Sequence, residues 1–311
     1  MEAVIAGVHR FFNKPDNPQQ RGSPDYAVHV SRFPRDAIGA IRRFASAVPS
    51  GVPLRVYAMG GDGLLFDCLN GIIGLPNVEL GIMPYGSQND FYRVFGKKNR
   101  SLFNSLEAQT RAPSVPVDAA CCGSNYVLSH CMIGMEPIFA ASIRRVQKYP
   151  FLKRLFSSRL AVNYLSLLAA MNSRVAKQNY RLCIDGEDLS GMYFLIPIMN
   201  TSWYGGHQYY SDVDPTDGYL DVMASSSISL LDLFRRVKAQ KGFGLGDVKA
   251  ANYYKKNQDF ITYRRAKKIS VASESALVLN LDGEFFYDKC ITVEVKPGAV
   301  RIINPNLAGG S

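Results

Sequence analysis

The sequence predicts an α/β N-terminal domain with a parallel sheet, followed by a C-terminal domain that is largely antiparallel. In the first third of the chain, strand-like and helix-like segments alternate and glycines follow the strands, which is typical of a parallel sheet covered by helices. From about Ala112 onward, short strand candidates and turns replace this alternation. We therefore place the boundary near Arg111, with domains at 1–111 and 112–311, and we treat the last strand as a candidate for return to the first domain.

Hydrophobic periodicity defines the elements of the first domain. Short apolar segments predict the strands, whereas apolar residues at helical spacing predict amphipathic helices on the faces of the sheet. In order, we expect a strand at Tyr26–Ser31, a helix carrying Ile38, Ile41, Phe44, Ala45 and Val48, a strand at Leu54–Met59, a helix carrying Leu65, Leu69 and Ile72, a strand at Val78–Pro84, and a helix through Phe95.

The second domain is predicted from short apolar runs separated by turn residues. Two helices are expected within it, at Arg159–Met171 and Leu230–Gln240. The expected strands are Val115–Cys122, Tyr126–Ile133, Tyr180–Ile184, Met192–Met199, Tyr219–Ala224, Ile269–Ala272, Ala276–Leu281, Cys290–Val295 and Val300–Ile303.

Composition excludes several classes of protein. With 47% hydrophobic and 20% charged residues, the 311-residue chain is neither disordered nor fibrous. Its longest apolar run, Met192–Met199, is too short to span a bilayer, and the N-terminus does not resemble a signal peptide. Six cysteines without a CxxC pair indicate reduced thiols of a cytosolic protein. The net charge of +10 favours an anionic partner, whether nucleotide, nucleic acid or acidic membrane surface.

The first candidate site is the glycine-rich loop Gly60–Gly63, which follows a strand and begins a helix. Glycines let a ligand approach the backbone closely, and N–H groups at a helix start can hold phosphate oxygens. The single carboxylate, Asp62, suits a Mg²⁺ bound to those phosphates. Taken alone, the loop is explained equally well as a tight β–α turn in which Asp62 caps the helix.

A second loop of this kind, Pro84–Phe91, follows the next strand and opens a helix. Ser87, Asn89 and Asp90 are possible caps of that helix. Alternatively, Gly86 and Ser87 contact a phosphate, and Asn89 or Asp90 lies near the same metal or the ribose. Two such loops at adjacent parallel strand ends would share one crevice, where open α/β sheets bind ligands.

The third candidate is the late turn Asp282–Glu284, whose Asp-Gly-Glu sequence also occurs at Asp185–Glu187. A glycine between two acids and between two strands is usually a hairpin turn. Because the earlier copy has no evident role, spacing alone favours a structural turn for both copies.

Four motifs in this order resemble the signature of the diacylglycerol kinase catalytic family, which includes sphingosine kinases and soluble bacterial lipid kinases. They are Gly60–Gly63, Pro84–Phe91, Asp217–Val222 and Asp282–Glu284. The resemblance extends from about Tyr26 to Pro305. The first motif also occurs in NAD kinases and phosphofructokinases, but Asn89–Phe91 and the late Asp-Gly-Glu favour lipid kinases.

The resemblance implies a lipid kinase that transfers the γ-phosphoryl group of ATP to a hydroxyl of a lipid such as diacylglycerol. It also implies a nucleotide-binding first domain, a β-sandwich-like second domain and an active site between them. Asp62 and Glu284 are the implied catalytic residues, with Glu284 as general base. The implied binding residues for ATP and its Mg²⁺ are Gly60, Gly61, Gly63, Asp67, Gly86, Ser87, Asn89 and Asp90.

A further Mg²⁺ is implied by the resemblance at Asp214, Asp217 and the carbonyl of Tyr219. Asp118 matches a family acid that ties this metal to the active site. From the sequence alone, Asp214 and Asp217 also fit an ordinary surface turn of the type Asp-Pro-Thr-Asp-Gly.

Two departures from the family pattern keep other interpretations open. Leu64 stands where the family usually has Thr, and the large Gln88 lies within the second loop, where the family usually has small residues after the glycine. The alternatives are an NAD-kinase-like enzyme for a small molecule and a catalytically impaired relative that binds lipid or nucleotide. No nucleic-acid-binding signature and no Walker-type loop is found in the sequence.

The expected partners are a lipid substrate and, transiently, an anionic membrane surface, whereas no nucleic acid is expected. The segment Tyr149–Phe156 mixes aromatic, aliphatic and cationic residues and could dock on such a surface. An ordinary solvated helix is the favoured interpretation of that segment. The expected location is cytoplasmic, with peripheral binding to the membrane.

Overall fold

The computed structural model describes residues 2–13, 26–49, 51–96, 99–138, 140–141, 178–208, 212–226 and 258–308. These residues form two compact units. The first unit comprises the described residues within 1–87, 95–115 and 301–311, and the second comprises those within 88–94 and 116–300.

The first unit is built on parallel strands. Strand β1 (Leu54–Gly60) pairs in parallel with β2 (Val78–Pro84) along their whole length. The end of the last strand, β14 (Glu284–Ile303), adds Arg301 and Ile302 in parallel to the other side of β2. The helices of this unit are α1 (Glu2–Phe12), α2 (Asp36–Ala47), α3 (Asp62–Ile72), α4 (Arg100–Phe103) and α5 (Leu106–Arg111).

Apolar periodicity explains most of this unit. Helix α3 packs on β1, β2 and α2, and its Leu69 is fully buried, as is Leu80 of β2. The predicted strand at Val78–Pro84 has the observed bounds, and the helices predicted around Ile41 and Leu69 are α2 and α3. The α/β class of the first domain is therefore confirmed.

The strand predicted at Tyr26–Ser31 is wrong. The segment has no regular secondary structure and joins no sheet in the described part of the chain, and Val28 and Val30 are exposed. Tyr26 instead stacks on Phe12 of α1, with 4.7 Å between ring centroids, and its hydroxyl lies 2.8 Å from Nδ1 of His9. A local alternation of apolar residues makes a strand only where a partner strand is available to bond it.

The second unit consists mainly of antiparallel strands, which confirms the predicted class. Strand β13 pairs with β14, β5 and β6, and β8 pairs with β5, β6 and β11, all antiparallel. The strands preceding β14 are β3 (Ser114–Cys122), β4 (Asn125–Val127), β5 (His130–Gly134), β6 (Gln178–Ile184), β7 (Glu187–Asp188), β8 (Gly191–Met199), β9 (Trp203–Tyr204), β10 (His207–Gln208), β11 (Leu220–Ser226), β12 (Ile261–Ala266) and β13 (Lys268–Leu281).

Several predicted strands are merged or divided. The two strands expected at Ile269–Ala272 and Ala276–Leu281 form the single strand β13, with a shift in register between Ala272 and Leu277. The single strand expected at Tyr126–Ile133 is divided into β4 and β5. The first difference reflects an irregularity of backbone pairing, to which side-chain patterns are insensitive. The second arises because β4 pairs with β3, whereas β5 pairs with β8 and β13.

Three predicted segments lie outside the described residues, namely the helices at Arg159–Met171 and Leu230–Gln240 and the docking segment Tyr149–Phe156. None of the helices in the part of the chain that the structure describes is long and apolar enough to cross a membrane.

Candidate active site

The first glycine loop connects β1 to α3. Strand β1 ends at Gly60, Gly61 is the N-cap residue with an extended backbone, and Asp62 is the first residue of α3. The N-cap residue is thus Gly61, which has no side chain, and Asp62 lies one position further along, in the first turn of the helix. The backbone N–H groups of a helix start and the Asp62 carboxylate therefore occupy the same turn, with Gly63 next in the helix.

The second glycine loop meets the first. The N–H groups of Tyr85 and Gly86 donate to the carbonyl of Gly60 at 2.9 and 3.0 Å. A Cβ atom added to Gly61 would lie 3.4 Å from Cα of Gly86, and one added to Gly60 would lie 2.8 Å from Leu64 Cδ2. The loops thus meet at the carboxyl edge of the two parallel strands, as the sequence predicted, and glycine permits this close approach.

Arg100, at the start of α4, holds the second loop and was not identified from the sequence. Its guanidinium donates to the carbonyl of Pro84 at 3.1 and 2.9 Å and to that of Gly86 at 3.0 Å. A cation is therefore fixed beside the loop that contains the exposed Ser87. The only signal for it in the sequence is an arginine at a helix start, where the helix dipole disfavours positive charge.

Asp67 lies in the second turn of α3 and is buried. Its Oδ2 atom accepts a 2.7 Å hydrogen bond from the backbone N–H of Arg35, the residue that precedes α2. Burial raises the pKa of the Asp67 carboxyl, and the contact with Arg35 opposes that shift. Asp67 thus joins α3 to the start of α2, whereas its predicted contact with nucleotide remains a prediction.

Asn89 and Asp90 are both buried in the second unit, ahead of the 3-10 helix Phe91–Phe95. The two oxygens of Asp90 accept hydrogen bonds from the backbone N–H groups of Gly205 and Gly206 at 2.7 and 2.6 Å. Asn89 has a positive φ of 51°. The contacts of Asp90 favour a role in holding the Gly205–Gly206 turn over the predicted role at a metal or ribose.

Asp282 and Gly283 form a two-residue turn between β13 and β14, with φ values of 49° and 92°. Asp282 is buried, and its carboxylate accepts hydrogen bonds from the backbone N–H groups of Leu128, Ser129 and His130 at 2.7, 3.0 and 2.9 Å. These three donors lie where the chain passes from β4 to β5. Glu284 begins β14 and is partly buried, and Asp282 fixes the turn that positions it.

A carboxylate that the sequence analysis missed, Glu136, supports the same turn. It follows β5 after Gly134, whose φ of 109° and close approach to Phe194 require glycine. Glu136 accepts hydrogen bonds from the Tyr204 hydroxyl and, at 3.3 and 3.4 Å, from the Asn280 amide. The Asn280 carbonyl oxygen in turn accepts the N–H of Gly283 at 2.8 Å.

His130 packs beneath this turn. Its ring lies edge-on to that of Tyr204, with 4.7 Å between centroids, and its Nδ1 atom is 3.8 Å from Oδ1 of Asp282. Burial lowers the pKa of His130 to about 3, so the imidazole is neutral near pH 7. The short distance to Asp282 is therefore a packing contact and not an ion pair.

The acidic turn containing Asp214 and Asp217 has protein partners for its carboxylates. Asp217 pairs with the guanidinium of Arg265 and accepts the N–H of Tyr219 at 3.0 Å. Asp214 accepts hydrogen bonds from the N–H and hydroxyl of Thr216 at 2.9 and 2.7 Å. Within the described ranges, no group of three or more His, Cys, Asp or Glu residues is arranged to hold a metal ion.

Comparison with protein-family models agrees with this arrangement. Residues 21–122 match the diacylglycerol kinase catalytic domain, and residues 144–304 match the YegS C-terminal NAD kinase beta sandwich-like domain. Among curated proteins, one named "Putative lipid kinase SA0681" from Staphylococcus aureus (strain N315) is 25% identical over 259 residues, which cover 81% of this chain and 77% of that protein.

Solved structures are similar in fold. A crystal structure of a diacylglycerol kinase from Bacillus anthracis str. Sterne superposes with a TM-score of 0.64 at 22% identity, covering 97% of this chain and 92% of that one. A second structure from the same organism has a TM-score of 0.65 at 24% identity, covering 96% and 92% of the two chains. The second family model alone spans more than half of the residues, and the two models follow each other in the expected order. The chain belongs to the diacylglycerol kinase catalytic family.

Proposed function

We propose that this protein is an ATP-dependent lipid kinase, which transfers the γ-phosphoryl group to a hydroxyl of a lipid such as diacylglycerol. The observation that carries the proposal is the meeting of two glycine loops at the carboxyl edge of β1 and β2 in a member of this family. The names of the similar proteins support the choice of a lipid as acceptor.

The proposed phosphate site is the turn at the start of α3 together with the Gly86–Ser87 loop. A Cβ atom on Gly61 would lie 3.4 Å from Gly86 Cα, so glycine is what allows the two loops to come this close. The N–H groups at the start of a helix point toward its N-terminal end, where they can hold phosphate oxygens. Asp62 in the first helical turn would hold Mg²⁺, which neutralises phosphate charge when bound. Arg100 adds a fixed cation beside the second loop.

Glu284 is the proposed general base. A lipid hydroxyl is a weak nucleophile, so a carboxylate must take its proton while the new O–P bond forms and the bond to the leaving ADP oxygen breaks. The proton is then held on the Glu284 carboxylate. Asp282 and Asn280 fix the backbone immediately before Glu284, which meets the requirement that such a base be positioned in advance.

We also propose that the enzyme is cytoplasmic and binds transiently to the anionic membrane surface that supplies its lipid. The net charge of +10 supports such an encounter, since basic residues near an anionic surface contribute about 1 kcal/mol each. The reaction belongs to phospholipid metabolism.

The proposal is tested with radiolabelled ATP, Mg²⁺ and a panel of lipid extracts in mixed vesicles, with NAD in a parallel reaction. We expect label in a chloroform-soluble product, and we expect Asp62→Asn to abolish most of it while the far-UV spectrum is unchanged. Label in NAD instead would support the NAD-kinase-like alternative, which the name of the second matched domain keeps relevant. A rise in Tm with MgATP but no turnover would support a relative that binds nucleotide without transferring phosphate. Leu64, which lies against Gly60 in the first glycine loop, is the residue that motivates this alternative.

A further inference from the structure

We propose that the guanidinium of Arg265 is the resident cation of the acidic turn at 214–217, in the place where the family resemblance implies a second Mg²⁺. The inference is independent of the proposed kinase activity because it depends only on contacts within the second unit. It assigns to a side chain of this protein the charge neutralisation that a metal ion would otherwise provide.

The carboxylates of the turn are already used by protein donors. One oxygen of Asp217 accepts a hydrogen bond from the Arg265 guanidinium, and the other accepts one from the Tyr219 N–H. Asp214 Oδ1 accepts hydrogen bonds from the N–H and the hydroxyl of Thr216. A divalent ion bound by Asp217 would have to displace Arg265. The donor set therefore fits a closed hydrogen-bonded turn better than a coordination site.

Asp118, the buried acid next to the turn, also has both carboxylate oxygens hydrogen-bonded to backbone N–H groups. Asp118 accepts the N–H of Gly218 at 2.7 Å on Oδ2 and the N–H of Gly298 at 2.8 Å on Oδ1. Its own N–H donates to the carbonyl of Pro215 at 2.7 Å. Asp118 thus organises the backbone of the turn from inside, and both of its oxygens are engaged in doing so.

Arg265 is positioned for this role by the sheet. It lies on β12 directly opposite Asp221 of β11, and its guanidinium stands 4.8 Å from the centroid of the Tyr219 ring. Lys267 places a second cation 5.2 Å from the same ring. The protein therefore supplies its own counter-charge to Asp217.

The test compares thermal unfolding in EDTA with unfolding in millimolar MgCl₂ or MnCl₂, without nucleotide or lipid. The wild-type Tm should be equal in the two conditions within about 1 °C, because a cation that does not bind the folded state cannot stabilise it. Arg265→Ala should have a lower Tm in EDTA and should recover part of the loss when the divalent ion is added. Arg265→Lys, which keeps the charge, should remain insensitive to the metal.

Two controls identify the site. Arg264→Ala removes the neighbouring arginine, which pairs with the exposed Glu187, and should produce no metal response. Adding Asp217→Asn to Arg265→Ala should abolish the response, and Mn²⁺ binding measured by electron paramagnetic resonance should follow the same pattern. A wild-type Tm that rises with Mg²⁺ and loses that rise in Asp217→Asn would overturn the proposal. An Arg265→Ala variant without any metal response would overturn it as well.

Discussion

The two Asp-Gly-Glu turns of this chain have the same sequence and the same local backbone, yet they occupy different environments. Asp185 and Asp282 have φ values of 47° and 49°, and the glycines that follow them have 91° and 92°. Each turn joins two antiparallel strands and pairs the residue before the aspartate with the glutamate. In both, only residues that tolerate a positive φ fit the turn.

Both aspartates also fasten a neighbouring segment of backbone. Asp185 accepts hydrogen bonds from the N–H groups of Lys267 and Lys268 at 2.8 to 3.1 Å, as Asp282 does from three residues around Ser129. The N–H of Asp185 donates to the carbonyl of Lys268, and the N–H of Asp282 donates to the carbonyl of His130. The first residue of the tripeptide is therefore an anchor in both turns.

The turns differ in burial and in what surrounds the glutamate. Asp185 and Glu187 are exposed, and Glu187 forms a bidentate ion pair with Arg264 at 2.8 Å. Asp282 is buried and Glu284 partly so, and the Glu136–Asn280 pair supports Gly283. A tripeptide thus defines the turn, whereas its tertiary surroundings decide whether its glutamate is available for chemistry.

The largest effect is expected from removing the charge of each glutamate in turn. Glu284→Gln should lower kcat for phosphoryl transfer on the order of 10² to 10³-fold, because the lipid hydroxyl loses its base. Glu187→Gln makes the same chemical change on the exposed turn and should leave kcat unaltered. Initial rates with radiolabelled ATP measure both, and equal rates for the two variants would remove Glu284 from the mechanism.

The second comparison concerns Asp185 and Asp282, the aspartates that anchor the two turns. Asp282→Ala should lower the free energy of unfolding by about 3 kcal/mol, because three backbone N–H groups between β4 and β5 lose their acceptor where water has little access. Asp185→Ala should cost far less, since water can replace the carboxylate there. Urea unfolding followed by circular dichroism tests this difference, and similar midpoints for the two variants would contradict it.

How much of this was predictable from the sequence depends on the range of the interaction. Strand β2 and helix α3 were predicted because their apolar patterns are local, and the meeting of the glycine loops followed from the rule for parallel sheets. Glu136 was missed because its partners Tyr204 and Asn280 are 68 and 144 residues away. Asp90 was assigned to ligand because no local signal reveals its bonds to Gly205 and Gly206.

The pH dependence of stability distinguishes the buried turn from the exposed one. Burial lowers the pKa of His130 from 6.5 to about 3, so between these values the unfolded chain binds more protons than the folded one. The stability contribution of neutral His130 is therefore complete above about pH 6.5 and is lost as the pH falls. Relative to His130→Phe, the wild type should lose about 2 to 3 kcal/mol between pH 6.5 and about pH 4.5.

The contribution of Asp221 to stability changes with pH in the opposite direction over the same range. Burial raises the pKa of Asp221 from 3.8 to about 6, so its contribution is present below 3.8 and is lost as the pH rises through 6. Because wild type and His130→Phe both retain Asp221, its contribution cancels in their difference. Parallel curves for the two proteins in urea titrations across this range would contradict the neutral, buried state of His130.

The smallest effect is expected from Glu136, which acts on Glu284 only through Asn280 and Gly283. Glu136→Gln keeps the size of the side chain but removes its charge and replaces one of its two acceptor oxygens with a donor, so one of the two contacts with the Asn280 amide is lost. The turn before Glu284 should then be held less firmly. We expect kcat to fall about tenfold with little change in KM for MgATP, since misplacing a base affects the transition state more than binding.

The split between kcat and KM separates a positioning role for Glu136 from a purely structural one. A structural defect would lower Tm and the active fraction, whereas a positioning defect lowers kcat per correctly folded molecule, as measured by titrating bound nucleotide. Tyr204→Phe removes a single hydrogen bond to the same carboxylate and should give a smaller loss in the same direction. If Glu136→Gln lowers Tm but leaves kcat per folded molecule unchanged, the support behind Gly283 is a feature of folding alone. The two Asp-Gly-Glu turns would then differ in function only through Glu284 itself.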